Sequence, residues 1–487
     1  MIKLGQNRHN FQIKFLFTSQ EYFYKIKYKI HMLNFGGVCQ SGLLFAFFNG
    51  MYKYFGRRGR YMSTQAIIAI GVFLITYAFI VTEKIHRTII AMAGGIMMVL
   101  LGIVGQEKAL HHIDFNTLGL LTGMMIIVAI TAETGLFKYI AIWAAKKVNG
   151  DPLRILLVLG LITALGSAFL DNVTTVLLMV PVTFSITRQL RVNPIPFLIT
   201  EIIASNIGGT STLIGDPPNI MLGSAVKELT FMAFINNLTA ISFFILFVNI
   251  GILAFIYRKQ LRTSSELKAT LMDLDEKEEI TDKTLLIKSL IALTVTILGF
   301  FLHQLLHIES ATVALTGAFL LLLLTGEGYL DKAFSKVEWT TIFFFIGLFV
   351  LVSGLIETGV ISLLADYSVH LTGGDVASTS ILILWVSAIA SAFIDNIPFV
   401  ATMIPMIKDM GELGVNNLEP LWWSLSLGAC LGGNGTLIGA SANVIVAGLA
   451  AKEGHSITFG KFLLIAFPLM ILSIIICTIY IYLRYLI

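Results

Sequence analysis

The sequence of this chain contains one long pattern twice, and the two copies lie 224 positions apart. Three blocks take part: a Glu-Thr-Gly triplet, a Ser-Ala-Phe-Leu/Ile-Asp-Asn string, and the string Gly-Gly-x-x-Thr-Leu-Ile-Gly-x-x-x-Asn. The corresponding residues are Glu133 and Glu357, Asp171 and Asp395, and Gly208 and Gly432. Because all three blocks keep the same spacing, they predict two copies of one structural unit.

The composition is that of a membrane protein. Hydrophobic residues make up 56% of the chain, charged residues 13%, and the mean hydropathy is +0.85. Continuous apolar runs of about 20 residues predict membrane-crossing helices rather than a barrel. In such a protein, an internal duplication indicates a transporter with its site between the repeats. The three cysteines show no metal-binding spacing, and neither a metal nor a nucleic acid is an expected ligand.

The segment 1–61 differs from the rest, with ten Lys or Arg residues and one acidic residue, Glu21. It is either a basic cytoplasmic arm or an artefactual extension that is not translated. Arg57-Arg58-Gly59 lies just before Met62, and its codons can resemble a ribosome-binding site. We favour Met62 as the start and leave 1–61 out of the fold prediction.

The distribution of Lys and Arg predicts how the helices are oriented. Basic residues accumulate on the side of the polar loop 258–283, which the positive-inside rule places in the cytoplasm. Each repeat, 62–257 and 284–487, is predicted to cross the membrane five times, and an odd number of crossings inverts the second copy. The predicted crossings are 66–82, 88–105, 116–145, 195–225 and 233–257, then 284–303, 310–326, 339–366, 421–447 and 462–483.

Two further apolar stretches each carry an Asp-Asn pair near the middle, in the ranges 153–186 and 378–405. Polar groups at that depth predict a re-entrant hairpin, made of two half-helices that meet at the Asp-Asn tip. The predicted fold class is therefore an all-α polytopic membrane protein, built from two inverted repeats of five transmembrane helices and one hairpin each.

The hairpin tips carry the first candidate site, formed by Asp171, Asn172, Thr174, Asp395 and Asn396. Asp and Asn favour helix N-caps, so free N–H groups of the following helix can bind a substrate oxygen there. The alternative is that these residues only cap the helices that follow and bind no ligand. Intramembrane carboxylates are rare and usually functional, which favours a binding site.

The glycine-rich strings carry the second candidate site. Paired glycines and prolines interrupt a helix, so each string predicts a discontinuous helix whose unwound centre offers carbonyls and hydroxyls. A glycine-rich packing face is the alternative. The candidate residues are Asn206, Gly208, Gly209, Thr210, Thr212, Asp216 and Asn219 in the first copy, and Gly432, Gly433, Asn434, Thr436, Ser441 and Asn443 in the second.

Ion coupling has its own candidates. Glu133 and Glu357 are predicted in mid-span, either as carriers of a coupling proton or as markers of helix breaks. Asp216 has Ala440 as its counterpart, so it breaks the symmetry and is a candidate for binding H⁺ or Na⁺. Cys430 is expected to be a packed residue. No Arg or Lys lies near either motif in the sequence, so a multiply charged anion would lack a partner.

At these motifs the chain resembles the ion transporter superfamily, specifically the ArsB/NhaD permeases and the branch that contains the melanosomal P protein. The strings Ser-Ala-Phe-Leu-Asp-Asn-Val-Thr-Thr and Ile-Gly-Asp-Pro-Pro-Asn carry the resemblance, which covers about 66–483. It implies a scaffold domain, a mobile transport domain with two hairpins, and an elevator-like movement, often in a homodimer. Citrate and dicarboxylate members carry Ser-Asn-Thr at the tips, where this chain has Asp-Asn-Val-Thr and Asp-Asn-Ile-Pro.

The sequence therefore predicts a secondary active transporter of the plasma membrane and no enzyme. The expected activity is efflux of arsenite or antimonite, driven by an ion or proton gradient. The alternatives are a sodium–proton antiporter, an organic anion permease and, as a different class, an anion channel. The expected partners are the lipid bilayer and a small inorganic solute, without a cofactor. The sequence does not decide whether a cytoplasmic ATPase is a partner, because the chain itself has no Walker motif.

Overall fold

The computed structural model describes residues 62–82 and 84–487. The segment 1–61, and with it the prediction that translation starts at Met62, lies outside the described residues. All regular secondary structure in the described ranges is helical, which confirms the predicted all-α class. Eight of these helices are long and apolar enough to cross a membrane, or nine if the bent pair Ser310–Thr325 and Glu327–Lys336 forms one span.

The first repeat comprises residues 62–257 and ends at the loop 258–283. Its helices are α1 (Thr64–Thr82), α2 (Arg87–Leu100), α3 (Gln106–His111), α4 (Phe115–Ala132), α5 (Leu136–Lys147), α6 (Pro152–Phe169), α7 (Asn172–Gln189), α8 (Ile195–Thr210), α9 (Pro217–Ala225) and α10 (Phe231–Tyr257, with a π-helical turn at Ile235–Thr239). The loop contains α11 (Ser265–Met272) and a 3₁₀ turn, Glu276–Glu279.

The second repeat contains the same series of helices. They are α12 (Lys283–Leu302), α13 (Ser310–Thr325), α14 (Leu330–Lys336), α15 (Trp339–Glu357), α16 (Val360–Thr372), α17 (Val376–Phe393), α18 (Asn396–Glu412), α19 (Glu419–Gly432), α20 (Ser441–Lys452) and α21 (Phe459–Ile481). Each helix from α14 to α20 begins 224 positions after its counterpart among α3 to α9. The duplication seen in the sequence is therefore a duplication of structure.

Contacts at the helix ends show that the second copy is inverted. The carbonyl of Glu133, at the C-terminal end of α4, accepts a hydrogen bond from Thr281 of the polar loop at 2.7 Å. Its counterpart Glu357 accepts one from Lys108 at 2.6 Å, and Lys108 lies just before the N-terminal end of α4. Since α4 separates the two ends, equivalent residues of the two repeats lie on opposite sides of the protein.

The polar loop 258–283 binds the end of the molecule where the charge pattern placed it. Lys146 donates to Glu276 at 2.6 Å, and Lys268 donates to Asp151 at 3.1 Å. The hydrogen bond from Lys146 holds the pKa of Glu276 below its ordinary value. These contacts put the basic ends of α5 and α6 beside the loop, as the sequence predicted.

The two hairpins form with their tips at the predicted Asp-Asn pairs, and their second arms extend beyond the predicted ends at 186 and 405, to Gln189 and Glu412. Hairpin 1 consists of α6 and α7, and hairpin 2 of α17 and α18. The first arm of each hairpin has 18 residues, which corresponds to a length of about 27 Å. These first arms are long enough to cross a bilayer, because the apolar run before each Asp-Asn pair is itself of spanning length.

Two predicted single crossings, 116–145 and 339–366, are each broken into two helices. The first breaks between α4 and α5 at Gly135, and the second breaks between α15 and α16 at Gly359. Both glycines are left-handed, with φ of 77° and 74°, a conformation that favours glycine over other residues. The Glu-Thr-Gly triplets of the repeat are therefore helix breaks, and Glu133 and Glu357 lie at helix ends rather than in mid-span.

Each hairpin packs on the helix that follows the Gly-Gly string of the opposite repeat. Helix α9 of the first repeat contacts α18 of hairpin 2, and α20 of the second repeat contacts α7 of hairpin 1. This exchange is what a two-fold axis between inverted repeats produces. It brings both hairpin tips to the centre of the molecule. The breaks at the two Gly-Gly strings, between α8 and α9 and between α19 and α20, lie there as well.

Candidate functional site between the hairpin tips

A small pocket lies where the two hairpin tips meet. Polar and charged side chains from both repeats line it, together with apolar residues of α4, α7, α9 and α18. The lining residues are Arg87, Leu121, Met125, Asp171, Asn172, Val173, Asp216, Pro217, Glu338, Thr341, Asn396, Ile397 and Ser441. The space inside that a water molecule can occupy is about 20 Å³, which is enough for about one water.

Asp171 begins α7 as a true N-cap. Its carboxylate accepts a hydrogen bond from the backbone N–H of Thr174 at 2.8 Å and another from the Thr174 hydroxyl. These bonds fix the orientation of the carboxylate at the tip of hairpin 1. The predicted cap is therefore present, and the same residue also lines the pocket.

Asp395 caps α18 in the same way but has further partners. It accepts hydrogen bonds from the backbone N–H of Ile397 at 3.3 Å and from the hydroxyl of Ser441 at 3.0 Å. The guanidinium of Arg87 also donates to it, and this is an ion pair. The charge at tip 2 is thus matched by a residue of α2, which belongs to a distant part of the sequence.

Asp216 lies between the two tips and is 1% exposed. The side-chain amide of Asn172 donates to it at 3.4 Å, and the amide of Asn396 donates to it at 3.4 Å. One carboxylate therefore connects hairpin 1, hairpin 2 and the start of α9. The counterpart of Asp216 is Ala440, so the otherwise two-fold arrangement has a single acidic centre.

Four helices begin at the pocket wall: α7, α18, α9 and α20. Each N-terminus carries a partial charge of roughly +0.5. Together with Arg87, these ends offset most of the negative charge of the four carboxylates Asp171, Asp216, Glu338 and Asp395. The electrostatic balance suits a solute that is uncharged or singly positive better than a multiply charged anion.

The interior of the broken helices holds a network of asparagines. Asn206 donates to Asn434 and to Asn443, both at 2.9 Å, and it accepts from Asn172 at 3.0 Å. Asn443 donates to the carbonyls of Gly433 and Thr436 at 2.8 Å. The helix breaks are thus held open by side-chain amides, since each freed carbonyl needs a donor.

Several predicted site residues have a supporting position behind the pocket. Asn219 donates to the carbonyls of Thr210 and Thr212. The hydroxyls of Thr212 and Thr436 donate to carbonyls of the first hairpin arms, at Ala168 and Ala392. Gly208, Gly209, Gly432 and Gly433 permit close backbone contacts there. Of the predicted residues, the structure brings Asp171, Asn172, Asp216, Asn396 and Ser441 to the pocket wall.

Sequence reasoning missed two charged residues of the pocket, Arg87 and Glu338. The inference that no Arg or Lys lies near the motifs was wrong in three dimensions, because the start of α2 comes next to tip 2. A signal existed: 224 positions after Arg87 is Ala311, so Arg87 breaks the repeat symmetry as Asp216 does. Glu133 and Glu357 are not among the pocket residues, and Glu357 pairs with Lys108 and His112.

Comparison with known proteins agrees with this architecture. The family model described as a citrate transporter matches residues 77–428. The chain belongs to the CitMHS citrate transporter family. An uncharacterized transporter of Mycobacterium bovis is 41% identical over 427 residues, which cover 86% of this chain and 99% of that protein. The 46 kDa membrane protein of Mycobacterium leprae is also 41% identical, over 87% of this chain and 100% of its own length.

More distant matches agree with the family and the fold. The P protein of Homo sapiens is 34% identical over 501 residues, which cover 86% of this chain and 59% of the P protein. The expected likeness to the P protein is thus confirmed. The YdaH transporter of Alcanivorax borkumensis has the same fold, with a TM-score of 0.53, 13% identity, and coverage of 86% of this chain and 98% of that one. The protein is a multi-pass membrane transporter.

Proposed function

We propose that the protein is a proton-coupled secondary transporter in the plasma membrane, and that it carries a small inorganic solute in the pocket between the hairpin tips. The polar and acidic wall of that pocket supports the proposal. It combines Asp171, Asp216 and Glu338 with two asparagine amides. Intramembrane carboxylates of this kind mark solute and proton pathways.

Citrate is the solute in the family's description, and the pocket gives it little support. A tricarboxylate needs several basic partners when it leaves water. Arg87 is the basic residue of the wall, and Asp395 already matches its charge. Citrate is therefore a comparison substrate in the experiment below.

Arsenous acid, with antimonous acid as its analogue, is the substrate we propose. At neutral pH it is an uncharged molecule with three hydroxyl donors, and the pocket offers three carboxylate acceptors in Asp171, Asp216 and Glu338. Charge-assisted hydrogen bonds of this type are among the stronger ones. The resemblance of the tip motifs to the ArsB/NhaD permeases favours arsenite or antimonite efflux first and sodium–proton exchange second.

Sodium–proton exchange is the second candidate, favoured by the excess of carboxylates over basic groups in the wall. Carboxylate and amide oxygens are suitable ligands for a hard cation. In residues 62–82 and 84–487, however, no three acidic, His or Cys side chains lie close enough together to hold a metal ion.

The test is solute accumulation in everted membrane vesicles, with and without an imposed proton gradient, for arsenite, Na⁺ and citrate separately. We expect arsenite to accumulate only with the gradient and only when the protein is present. Asp171→Asn keeps a good N-cap but removes the charge, so it should abolish accumulation without preventing membrane insertion.

Asp151→Asn is the matched control, since Asp151 caps the base of the same hairpin, far from the pocket. It should transport as the wild type does. Normal transport by Asp171→Asn would refute the assignment of the site to the tips. Accumulation of citrate instead of arsenite would replace the proposed substrate while leaving the site in place.

A further inference from the structure

A second buried carboxyl group, away from the pocket, is present in the first repeat. Glu201 lies in α8, is 0% exposed, and is absent from the pocket wall. One of its oxygens accepts a hydrogen bond from the hydroxyl of Thr183 on α7. The other oxygen, Oε2, is buried and has no hydrogen-bond partner among residues 62–82 and 84–487. An acid in this position needs a physical reason, because burying an unsatisfied carboxyl group is costly.

The second repeat provides an internal control for this position. The residue 224 positions after Glu201 is Leu425, and the one after Thr183 is Ile407; both are 0% exposed. The same helix packing is thus achieved there by an apolar pair. The fold therefore does not require Glu201 and Thr183. Glu201 in α8 and Asp216 at the start of α9 are both acidic, whereas their counterparts in the second repeat, Leu425 and Ala440, are apolar.

No charged side chain of the described residues compensates Glu201. The helices packed on α8 are α6, α7, α10, α19 and α20. Their ionisable side chains lie at or near the helix ends: Arg154, Asp171, Arg188, Tyr257, Glu419, Cys430 and Lys452. None of them forms a hydrogen bond or an ion pair with Glu201, and Thr183 supplies the one hydrogen bond to its carboxyl among the described residues. Because an unpaired buried charge costs far more than a neutral carboxyl, this environment favours the protonated form of Glu201.

We propose that Glu201 is a proton-binding site and carries the proton that drives transport, a role that rests on the proton coupling proposed above. Its Oε2 takes a proton from water when α8 faces one side of the membrane and releases it to water on the other side; no other bond changes. Glu201 precedes Asn206 by five residues, about 7.5 Å along α8. Asn206 joins both helix breaks to tip 1, so the charge at Glu201 acts on the helix that supports the pocket.

The first experiment separates coupling from solute binding. Glu201→Gln and Glu201→Leu are compared with the wild type in gradient-driven accumulation and in arsenite counterflow, which needs no net proton movement; Na⁺ replaces arsenite if only Na⁺ is carried. We expect both variants to lose gradient-driven accumulation and to keep counterflow at the wild-type level. Accumulation at the wild-type level in Glu201→Gln would overturn the proposal.

The double variant Glu201→Leu/Thr183→Ile guards against misfolding, since it installs the apolar pair of the second repeat. It should insert and exchange solute but remain uncoupled. Glu107→Gln, at an exposed acid of α3, is the control that should change nothing.

The second experiment does not depend on the substrate. Infrared spectra of the purified protein in lipid report the C=O stretch of protonated carboxyl groups. We expect Glu201→Gln to lose a component of this band that Asp171→Asn and Glu107→Gln retain, and an unchanged band would refute a protonated Glu201. If the wild type carries none of the three solutes, the proposed function fails, and the infrared band still decides whether Glu201 binds a proton.

Discussion

Arg87 joins two distant parts of the chain through one guanidinium group. Its Nη1 donates to Asp395 at tip 2 and to the hydroxyl of Ser441, at the start of α20, at 2.5 Å. The guanidinium also lies over the ring of Phe344 on α15, 4.9 Å from its centroid. Because Arg87 is 26% exposed and Asp395 11% exposed, the pair is shielded from most of the solvent.

Replacement of Arg87 by Gln should therefore destabilise the protein. Removing one partner of a buried ion pair costs about 3–5 kcal/mol, and the partial exposure of Arg87 lowers our expectation to about 2 kcal/mol. Arg87→Gln/Asp395→Asn leaves no unpaired charge and should recover part of this loss. The measurement is the thermal unfolding midpoint in detergent for both single variants and the double variant.

These two single variants and the double variant form a double-mutant cycle, and Arg188→Gln is its control. Its ion pair with Glu453 has side chains 74% and 45% exposed, so the change should cost less than about 1 kcal/mol. Equal losses in Arg87→Gln and Arg188→Gln would contradict a special role for the pair at tip 2, as would strictly additive effects in the double variant.

At the residue scale, the sequence identified the acidic residues at the hairpin tips but not Arg87, the basic partner of Asp395. Asp171, Asp216 and Asn396 stood out because polar groups interrupt apolar runs, and local context is enough to show this. Arg87 is separated from Asp395 by 308 positions and lies at a helix start with no motif around it. Its contact depends on how α2 packs against hairpin 2, which no local pattern encodes.

At the scale of secondary-structure elements, Gly208 shows why the broken helices carry glycine. An added Cβ at Gly208 would lie 2.6 Å from the Cα of Ala164 on α6 and would also meet the carbonyl oxygen of that residue. These are backbone atoms of hairpin 1, so they cannot move aside as a flexible side chain can. The close contact of α8 with α6 places the helix break behind tip 1.

The change Gly208→Ala should therefore separate hairpin 1 from α8. Overpacking a core costs typically about 1–3 kcal/mol, and we expect the upper end here because backbone faces backbone. Gly251→Ala on α10 is the matched control: no atom of the described residues lies within 4 Å of its added Cβ, and alanine stabilises a helix by up to about 1 kcal/mol over glycine. The unfolding midpoint should fall in the first variant and stay or rise in the second. A fall of equal size in both would show that loss of glycine flexibility, not the α6 contact, is responsible.

The elements themselves were predictable to different degrees. The Gly-Gly and Pro-Pro strings break a helix by their own backbone chemistry, and the structure breaks α8 from α9 and α19 from α20 at those strings. The breaks at Gly135 and Gly359 were one of two alternatives for the Glu-Thr-Gly triplets, because a single glycine inside an apolar run is also compatible with a continuous helix. The hairpin tips were predictable from the Asp-Asn pairs, whereas the second arms continue past the apolar runs that hydropathy marked.

For the whole molecule, the contacts between the outer helices and the hairpins suggest which parts move. Helix α1 contacts tip 2 through Tyr77, whose hydroxyl donates to the carbonyl of Pro398 at 2.7 Å and lies 3.5 Å from the hydroxyl of Thr402. Together with the Arg87–Asp395 pair, this contact joins α1 and α2 to hairpin 2. An elevator-like movement of the hairpins must break such contacts in every cycle, whereas contacts within the hairpin group persist.

Cross-linking can test this movement. A short thiol cross-linker between cysteines at Tyr77→Cys and Thr402→Cys should stop transport, because it fixes α18 to α1. The matched pair is Ser362→Cys and Asp409→Cys, which joins α16 to α18 across a hydrogen bond of 2.5 Å within the group expected to move as one body. Cys430 and Cys477 are buried and therefore protected from the reagent, and Cys39 is replaced by Ser in all variants. Transport should cease in the first pair and continue in the second, whereas undiminished transport in both would show that hairpin 2 stays in place against α1 and would exclude an elevator movement across this contact.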